Sequence, residues 1–294
     1  MSEPRLQQKW LQTSSGKICY FINKEFENRP AVVLLHGLSS NHTTWNQAAR
    51  FLKELRLNCL APDQRGHGHS DKIKKRFLYK LPVFTQDLKE IIEQENLGKV
   101  ILVGYSYGGY IAIDYAIKNP ASVAGLILIS ANHVNPMKYW HLDFLTPVAA
   151  GVLNLLAWLL LWQKRKNYYY YDHATARGYW HSTFTGYTTM PLAINFWMLA
   201  AVAYLDFSRE IAKINCPTLI IKAKKDPFLS IKEAKDMAAK IKNIKIVTLE
   251  EDTHFLASRY QEKIIKVTED FLKEKNLMPG SENSTAHCDT NNLS

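Results

Sequence analysis

The sequence predicts an α/β fold built on a mainly parallel, doubly wound sheet. Three observations carry this. Short runs rich in Val, Ile and Leu alternate with helical stretches along most of the 294 residues, as in a chain of βαβ units. The strand runs are continuously apolar, as strands covered by helices on both faces must be. One of them, Val100-Ile101-Leu102-Val103, runs into Gly104-x-Ser106-x-Gly108 and then directly into helix. A strand becomes a helix there in one sharp turn.

Taken in order, residues 17–22 and 31–35 read as strands separated by the polar turn 23–29. The second ends in His36-Gly37-Leu38-Ser39-Ser40-Asn41. Residues 45–55 read as helix, 58–61 as a strand stopped by Pro62, and Asp63-Gln64-Arg65-Gly66-His67-Gly68-His69-Ser70 as loop. In residues 81–96 the apolar positions Phe84, Leu88, Ile91 and Ile92 fall on one helical face. The helix that follows Ser106 runs to Asn119-Pro120, and 125–129 is the next strand. After an interruption, 218–221 and 245–249 read as strands, and 231–241 and 261–275 as helices. A sheet of this kind carries its ligand at the carboxyl ends of its strands. The stretch from Pro279 is polar and predicts a disordered tail, 279–294.

Ser106 draws attention for a physical reason. Small neighbours let backbone approach it closely, and the turn presents its hydroxyl at a helix N-terminus, where developing negative charge is favoured. Between a buried strand and a helix, Gly-x-Ser-x-Gly reads as a nucleophile elbow. The alternative is a Gly-rich turn with a capping serine.

Composition narrows the class. The first residues, Met1-Ser2-Glu3-Pro4-Arg5-Leu6, have no apolar core and no cleavage site, which predicts a cytoplasmic protein. Cys19, Cys59, Cys216 and Cys288 show no metal or redox spacing and read as free thiols. In that compartment the sequons at Asn41, Asn283 and Asn292 carry no meaning. The net charge of +10 comes without an Arg-rich block or a nucleic-acid motif. It reads as a solvated face, with attraction to anionic membranes as the sharper alternative, and no nucleic-acid partner is expected.

The interruption, residues 132–206, is aromatic. Residues 139–207 hold 17 of the chain's 34 Phe, Trp and Tyr residues, which argues for an apolar cap over the site. Within it, 144–163 is a 20-residue run without charge, closed by Lys164-Arg165-Lys166 and then four tyrosines, 168–171. Thr146, Pro147, Gly151 and Asn154 dilute it as a membrane span. A buried cap helix lining the substrate site is expected, with peripheral membrane contact through 144–166 as the alternative.

His36-Gly37, Asp63-x-Arg65-Gly66-x-Gly68-x-Ser70, Gly104-x-Ser106-x-Gly108, Asp226 and His254, in this order, make the chain similar to the α/β-hydrolase fold family. The resemblance is to its single-domain esterase, lipase and haloperoxidase-like group, and covers residues 15–135 and 207–275. It implies a core of 1–131 and 207–278, with a helical cap, 132–206, inserted after the sixth strand. It also implies the chain order nucleophile, acid, histidine. Asp226 follows the late strand and supplies the acid; Ser130-Ala131-Asn132, where some relatives place theirs, has no carboxylate. His254 follows the last strand and supplies the base. Glu250, Glu251 and Asp252 read as solvated charges, and His133, His141, His173 and His181 as rivals only if the fold differs. The chain departs from the family at Ala223 and Thr253, where relatives commonly have Gly. The resemblance assigns the oxyanion hole to the backbone N–H groups of Tyr107 and Leu38, makes His36 and Gly37 shape the loop, and gives Asp63 and Arg65 structural roles. No metal or phosphate motif is present, and no cofactor is expected.

These features together predict a serine hydrolase that cleaves a small-molecule carboxylic ester of a lipophilic acyl group through an acyl-enzyme on Ser106. The same triad acting on an amide, thioester or carbon–carbon bond is one alternative. A catalytically vestigial binding or membrane-interaction protein is another.

Overall fold

A computed structural model describes residues 6–135, 138, 141–162 and 190–278. The segments 164–166, 168–171 and 279–294, with His173, His181 and Cys288, lie outside the described residues. One eight-stranded sheet organises the chain, in the order β1-β2-β4-β3-β5-β6-β7-β8. Its strands are β1 (Gln7–Thr13), β2 (Gly16–Asn23), β3 (Ala31–Leu35), β4 (Asn58–Pro62), β5 (Val100–Tyr105), β6 (Val123–Ile129), β7 (Thr218–Ala223) and β8 (Ile244–Leu249). β1 pairs antiparallel with β2, and β2 antiparallel with β4. Every pairing from β4 to β8 is parallel. The doubly wound sheet read from the sequence is therefore the sheet observed.

β1 was not among the expected strands. Gln7-Gln8-Lys9-Trp10-Leu11-Gln12-Thr13 is largely polar, and it forms an exposed edge whose pairing comes from β2. Edge strands bury too little to show an apolar run. With β1 counted, β6 is the sixth strand, and the inserted helices follow it.

Helices cover both faces. α1 (Asn46–Glu54), α7 (Leu256–Arg259) and α8 (Gln261–Glu274) pack on one, while α2 (Leu81–Gln94), α3 (Tyr107–Lys118) and α6 (Ile231–Lys240) pack on the other. Within the strands the two cores alternate residue by residue. Val33, Leu102 and Leu128 join the α2–α3 side, while Val32, Leu34, Ile101 and Ile127 join the α1–α8 side. That alternation is why the strands read as unbroken hydrophobic runs.

Among the described residues, two α-helices stand between β6 and β7, α4 (Thr146–Leu159) and α5 (Leu192–Val202). The ends of the insertion are stitched together by an antiparallel bridge, Val134 to Asp206. α5 is nearly all buried and packs on the 3₁₀ turn Arg76–Tyr79, where Trp197 stacks on Tyr79 at 6.0 Å. α4 corrects an expectation. It packs against α5, but only Thr146, Ala150 and Ala157 of its 14 residues are buried. Most of the apolar run faces outward instead of into a core. A sequence that is apolar all round does not reveal which face its neighbour covers.

The elbow depends on close backbone packing. A Cβ at Gly108 would collide with the backbone carbonyl of Leu35, and one at Gly104 would lie 2.6 Å from Gly109 Cα. Gly151, on the open side of α4, has nothing within 4 Å. Gly108→Ala should therefore lower unfolding free energy by about 1–3 kcal/mol. Gly151→Ala should raise it by about 0.5–1 kcal/mol, through helix propensity alone. Urea denaturation of the two variants measures both, and equal stabilities would refute the packing account.

Candidate active site

Ser106 sits between β5 and α3 with φ 50° and ψ −114°, a backbone conformation that side-chain-bearing residues rarely adopt. Two backbone bonds hold it there, Ser106 N–H to Ile129 O at 3.0 Å and Gly109 N–H to Ser106 O at 2.9 Å. Strain of this kind persists only where the surroundings over-determine it.

The structure brings the three expected side chains together. Ser106 Oγ lies 2.9 Å from His254 Nε2. His254 Nδ1 lies 3.0 and 3.1 Å from the two Asp226 oxygens. Asp226 follows β7 and its side chain is fully buried; it also accepts the Phe228 N–H at 2.9 Å. His254 follows β8 and is braced by an edge-on contact with Phe228 at 4.8 Å and by the Tyr105 hydroxyl, which donates to its carbonyl at 3.3 Å. With its carboxylate partner on Nδ1, the imidazole carries its proton there and leaves Nε2 as an acceptor facing Ser106. The neighbouring acids are elsewhere. Asp252 pairs with Lys225, Glu250 with Lys224 and Glu251 with Lys263. Among the other histidines, His133 pairs with Asp236 at 2.8 Å.

The loop after β3 closes over the nucleophile. A Cβ on Gly37 would press on the Tyr105 ring at 3.0 Å and touch Ser106 Cβ at 3.5 Å, so the loop lies directly against the nucleophile and any side chain here would need the ring to shift. His36 is fully buried. Its Nδ1–H donates to Gly37 O at 2.8 Å, and its Nε2 accepts the Gln64 N–H at 3.1 Å. Among the described residues, the N–H groups of Leu38 and Tyr107 have no hydrogen-bond acceptor. Tyr107 begins α3, where such donors are free by geometry.

Sequence reasoning missed the support beneath this loop. His67 Nε2 accepts the N–H of Ser39, which has φ 59°, at 3.1 Å, while His67 Nδ1–H donates to Arg65 O at 3.0 Å. Asn195 of α5 donates to Ser39 Oγ at 2.6 Å, so an inserted helix also grips the loop. Deeper still, Asp63 accepts from His42 N–H, His42 Nδ1–H and His69 N–H. Burial alone would push Asp63 up, but these bonds hold its carboxyl well below the ordinary range. Arg65 is fully buried, pairs with Asp87 through two bonds of 2.9 and 2.6 Å, and also bonds Ser15. The Asp63-to-Ser70 motif thus builds the floor of the loop, with Asp63 and Arg65 in the structural roles that the resemblance implies, while the parts played by His67 and Asn195 were not foreseen.

Cys19, Cys59 and Cys216 are free thiols. Among the described residues, no group of His, Cys, Asp and Glu could hold a metal ion.

Comparison with known proteins agrees with this architecture. Residues 30–257 match the family described as alpha/beta hydrolase fold, and the chain belongs to that family. An uncharacterized protein of Mycobacterium tuberculosis is 37% identical over 105 residues, and the match spans 30% of that protein's length. Human epoxide hydrolase 4 is 25% identical over 89% of this chain and 77% of its own. The 3-oxoadipate enol-lactonase 1 of Acinetobacter baylyi is 26% identical over 84% of this chain and 90% of its own. Among solved structures, a putative lipase from Acinetobacter baumannii superposes with a TM-score of 0.72 at 22% identity, over 92% of both chains.

Burial lowers the pKa of His67 to about 4, so the imidazole is neutral and can accept from Ser39. An unfolded chain binds the proton near pH 6.5, whereas the folded one refuses it until about 4. The stabilisation is full above pH 6.5 and is lost as pH falls towards 4, by up to about 3 kcal/mol. Asp63, whose pKa is depressed, adds a further loss below the ordinary carboxylate range. His67→Gln keeps an acceptor for Ser39 without a titrating ring. Its unfolding free energy should fall less steeply than wild type between pH 7 and 4.5, and parallel curves would rule His67 out as the source.

Proposed function

We propose that the chain is a serine hydrolase that cleaves a carboxylic ester of a lipophilic acyl group. One observation carries this reading: the continuous hydrogen-bond chain Asp226–His254–Ser106, ending on a hydroxyl at a strained elbow. Ser106 Oγ attacks the ester carbonyl carbon while its proton passes to His254 Nε2. The carbonyl electron pair moves to oxygen, where the Leu38 and Tyr107 N–H groups stabilise it. As the carbonyl re-forms, the bond to the alcohol breaks and His254 returns the proton to the departing oxygen. Water, deprotonated by His254, then releases the acid and restores Ser106. Asp226 holds the imidazole in the tautomer both steps need.

Chemistry favours an acyl substrate. Serine opening an epoxide would give an alkyl ether, which has no carbonyl for the second attack. An ester or lactone gives an acyl-enzyme that water can clear. The relative named an enol-lactonase points towards the ester class, and the one named an epoxide hydrolase shares sequence with this chain without sharing that requirement. The apolar character of buried α5, which reaches the loop over Ser106 through Asn195, supports a lipophilic acyl group.

Ser106→Ala should abolish both turnover of p-nitrophenyl esters and labelling by a fluorophosphonate while the thermal midpoint stays near wild type. Activity retained by that variant would end the proposal, and an unlabelled wild type would favour the vestigial binder. Asp226→Asn should cost on the order of 10⁴ in kcat, through the wrong imidazole tautomer. Asp252→Asn, which disturbs only the exposed pair with Lys225, should change kcat less than about twofold. The reverse order would make Asp252 the acid in place of Asp226. Across acetyl to octanoyl esters, kcat/KM should rise with chain length by up to about fourfold per methylene. A steady fall would refute the lipophilic preference.

A further inference from the structure

The outer face of α4 is an apolar stripe. Phe144, Val148, Val152, Leu155, Leu159 and Trp162 follow one another at intervals of three or four residues and all are exposed, Phe144 at 72% and Trp162 at 76%. Trp158, at 65%, flanks the stripe near its C-terminal end. No Asp, Glu, Lys or Arg occurs between positions 144 and 162. Proteins rarely leave such a contiguous surface to water unless something covers it.

A basic turn lies beside the same end of this helix. Residues 72–80, Lys-Ile-Lys-Lys-Arg-Phe-Leu-Tyr-Lys, contain five cations, and between Asp71 and Asp87 there is no acidic residue. Lys74 Nζ donates to Leu161 O at 2.9 Å, which ties the turn to the end of α4. Lys75, Arg76 and Lys80 are exposed and have no carboxylate partner among the described residues. Phe77, between them, is 59% exposed. The basic turn and the C-terminal end of the apolar stripe therefore meet where Lys74 reaches Leu161.

We propose that this surface docks the protein on an anionic lipid bilayer. Val148, Val152, Leu155 and Leu159 would enter the acyl boundary, Trp158 and Trp162 would sit at headgroup depth, and Lys75, Arg76 and Lys80 would meet lipid phosphates. A 14-residue helix is about 21 Å long, short of the ~30 Å hydrocarbon core, so α4 lies in the interface. No helix among the described residues is long and apolar enough to cross a membrane. The geometry also gives docking a use. α4 packs on α5, and Asn195 of α5 holds Ser39, next to Leu38. A lipid ester leaving the bilayer would then meet the inserted helices before it meets water.

Docking is independent of which bond Ser106 cleaves, so it is measured as binding, on full-length wild-type and Ser106→Ala protein alike. Wild type should co-sediment with phosphatidylcholine–phosphatidylglycerol vesicles, less so in high salt, and weakly with phosphatidylcholine alone. Lys75→Gln/Arg76→Gln/Lys80→Gln should lower partition onto the anionic vesicles by about a hundredfold and remove most of the salt dependence. Trp158→Ser/Trp162→Ser should lower it at least about tenfold, with the thermal midpoint unchanged as the check on folding. Failure of wild type to bind anionic vesicles would overturn the proposal. So would full binding by both variants. A solution dimer that the tryptophan substitutions dissociate, without vesicle binding, would assign the face to a second copy of the chain.

Discussion

Close approach of backbone at the β5–α3 turn is the constraint on which the rest of the structure depends. Ser106 is forced to a positive φ because the chain must leave a buried strand and enter a helix at once. That conformation survives because glycines at 104 and 108 let α3 and the end of β3 lie against the turn. Once Ser106 is fixed, Gly37 must lie against it, and the loop bearing Leu38 must fold over it. The parallel order β4-β3-β5-β6-β7-β8 then brings the ends of β7 and β8 to the same rim. Asp226 and His254, more than a hundred positions after the serine, arrive within hydrogen-bond distance of one another and of Ser106.

The loop over the nucleophile is held from below by charge rather than by apolar packing. Asp63, Arg65 and Asp87 are all buried, and each is compensated by partners drawn from distant segments. Buried charges of this kind tolerate little movement, because breaking one pair leaves an unsatisfied ion in the core. His67 adds a neutral ring that hands its acceptor to Ser39. The rigidity of the site thus comes from a polar floor, and one of the inserted helices braces the same loop at Ser39. Those helices divide the labour. α5 is buried and reaches the loop through Asn195, whereas α4 turns its bulk to the outside.

Much of the candidate site was legible before folding. The elbow announces itself through local steric need, since small residues must flank a serine between strand and helix. Asp226 and His254 follow late strands in the chain order that the family resemblance implies, and the structure brings both to Ser106. The illegible parts share a cause. β1 is polar because only one of its sides is paired. His67 and Asn195 act on Ser39 across 28 and 156 positions, and neither belongs to a spacing that names its partner.

Sequence by itself determined the doubly wound sheet and the order of its chemical groups. Strand burial on two faces and the steric demand of a sharp turn are both local, and each leaves a mark within a few residues. Tertiary structure alone decided which face of α4 is covered. A helix apolar on every side carries no internal instruction, so exposure of Val148 and Trp158, and burial of Ala150 and Ala157, follow from where α5 lands. It also decided that the basic turn at 72–80 would stand beside that helix, since no pattern links it to Leu161 until Lys74 reaches its carbonyl.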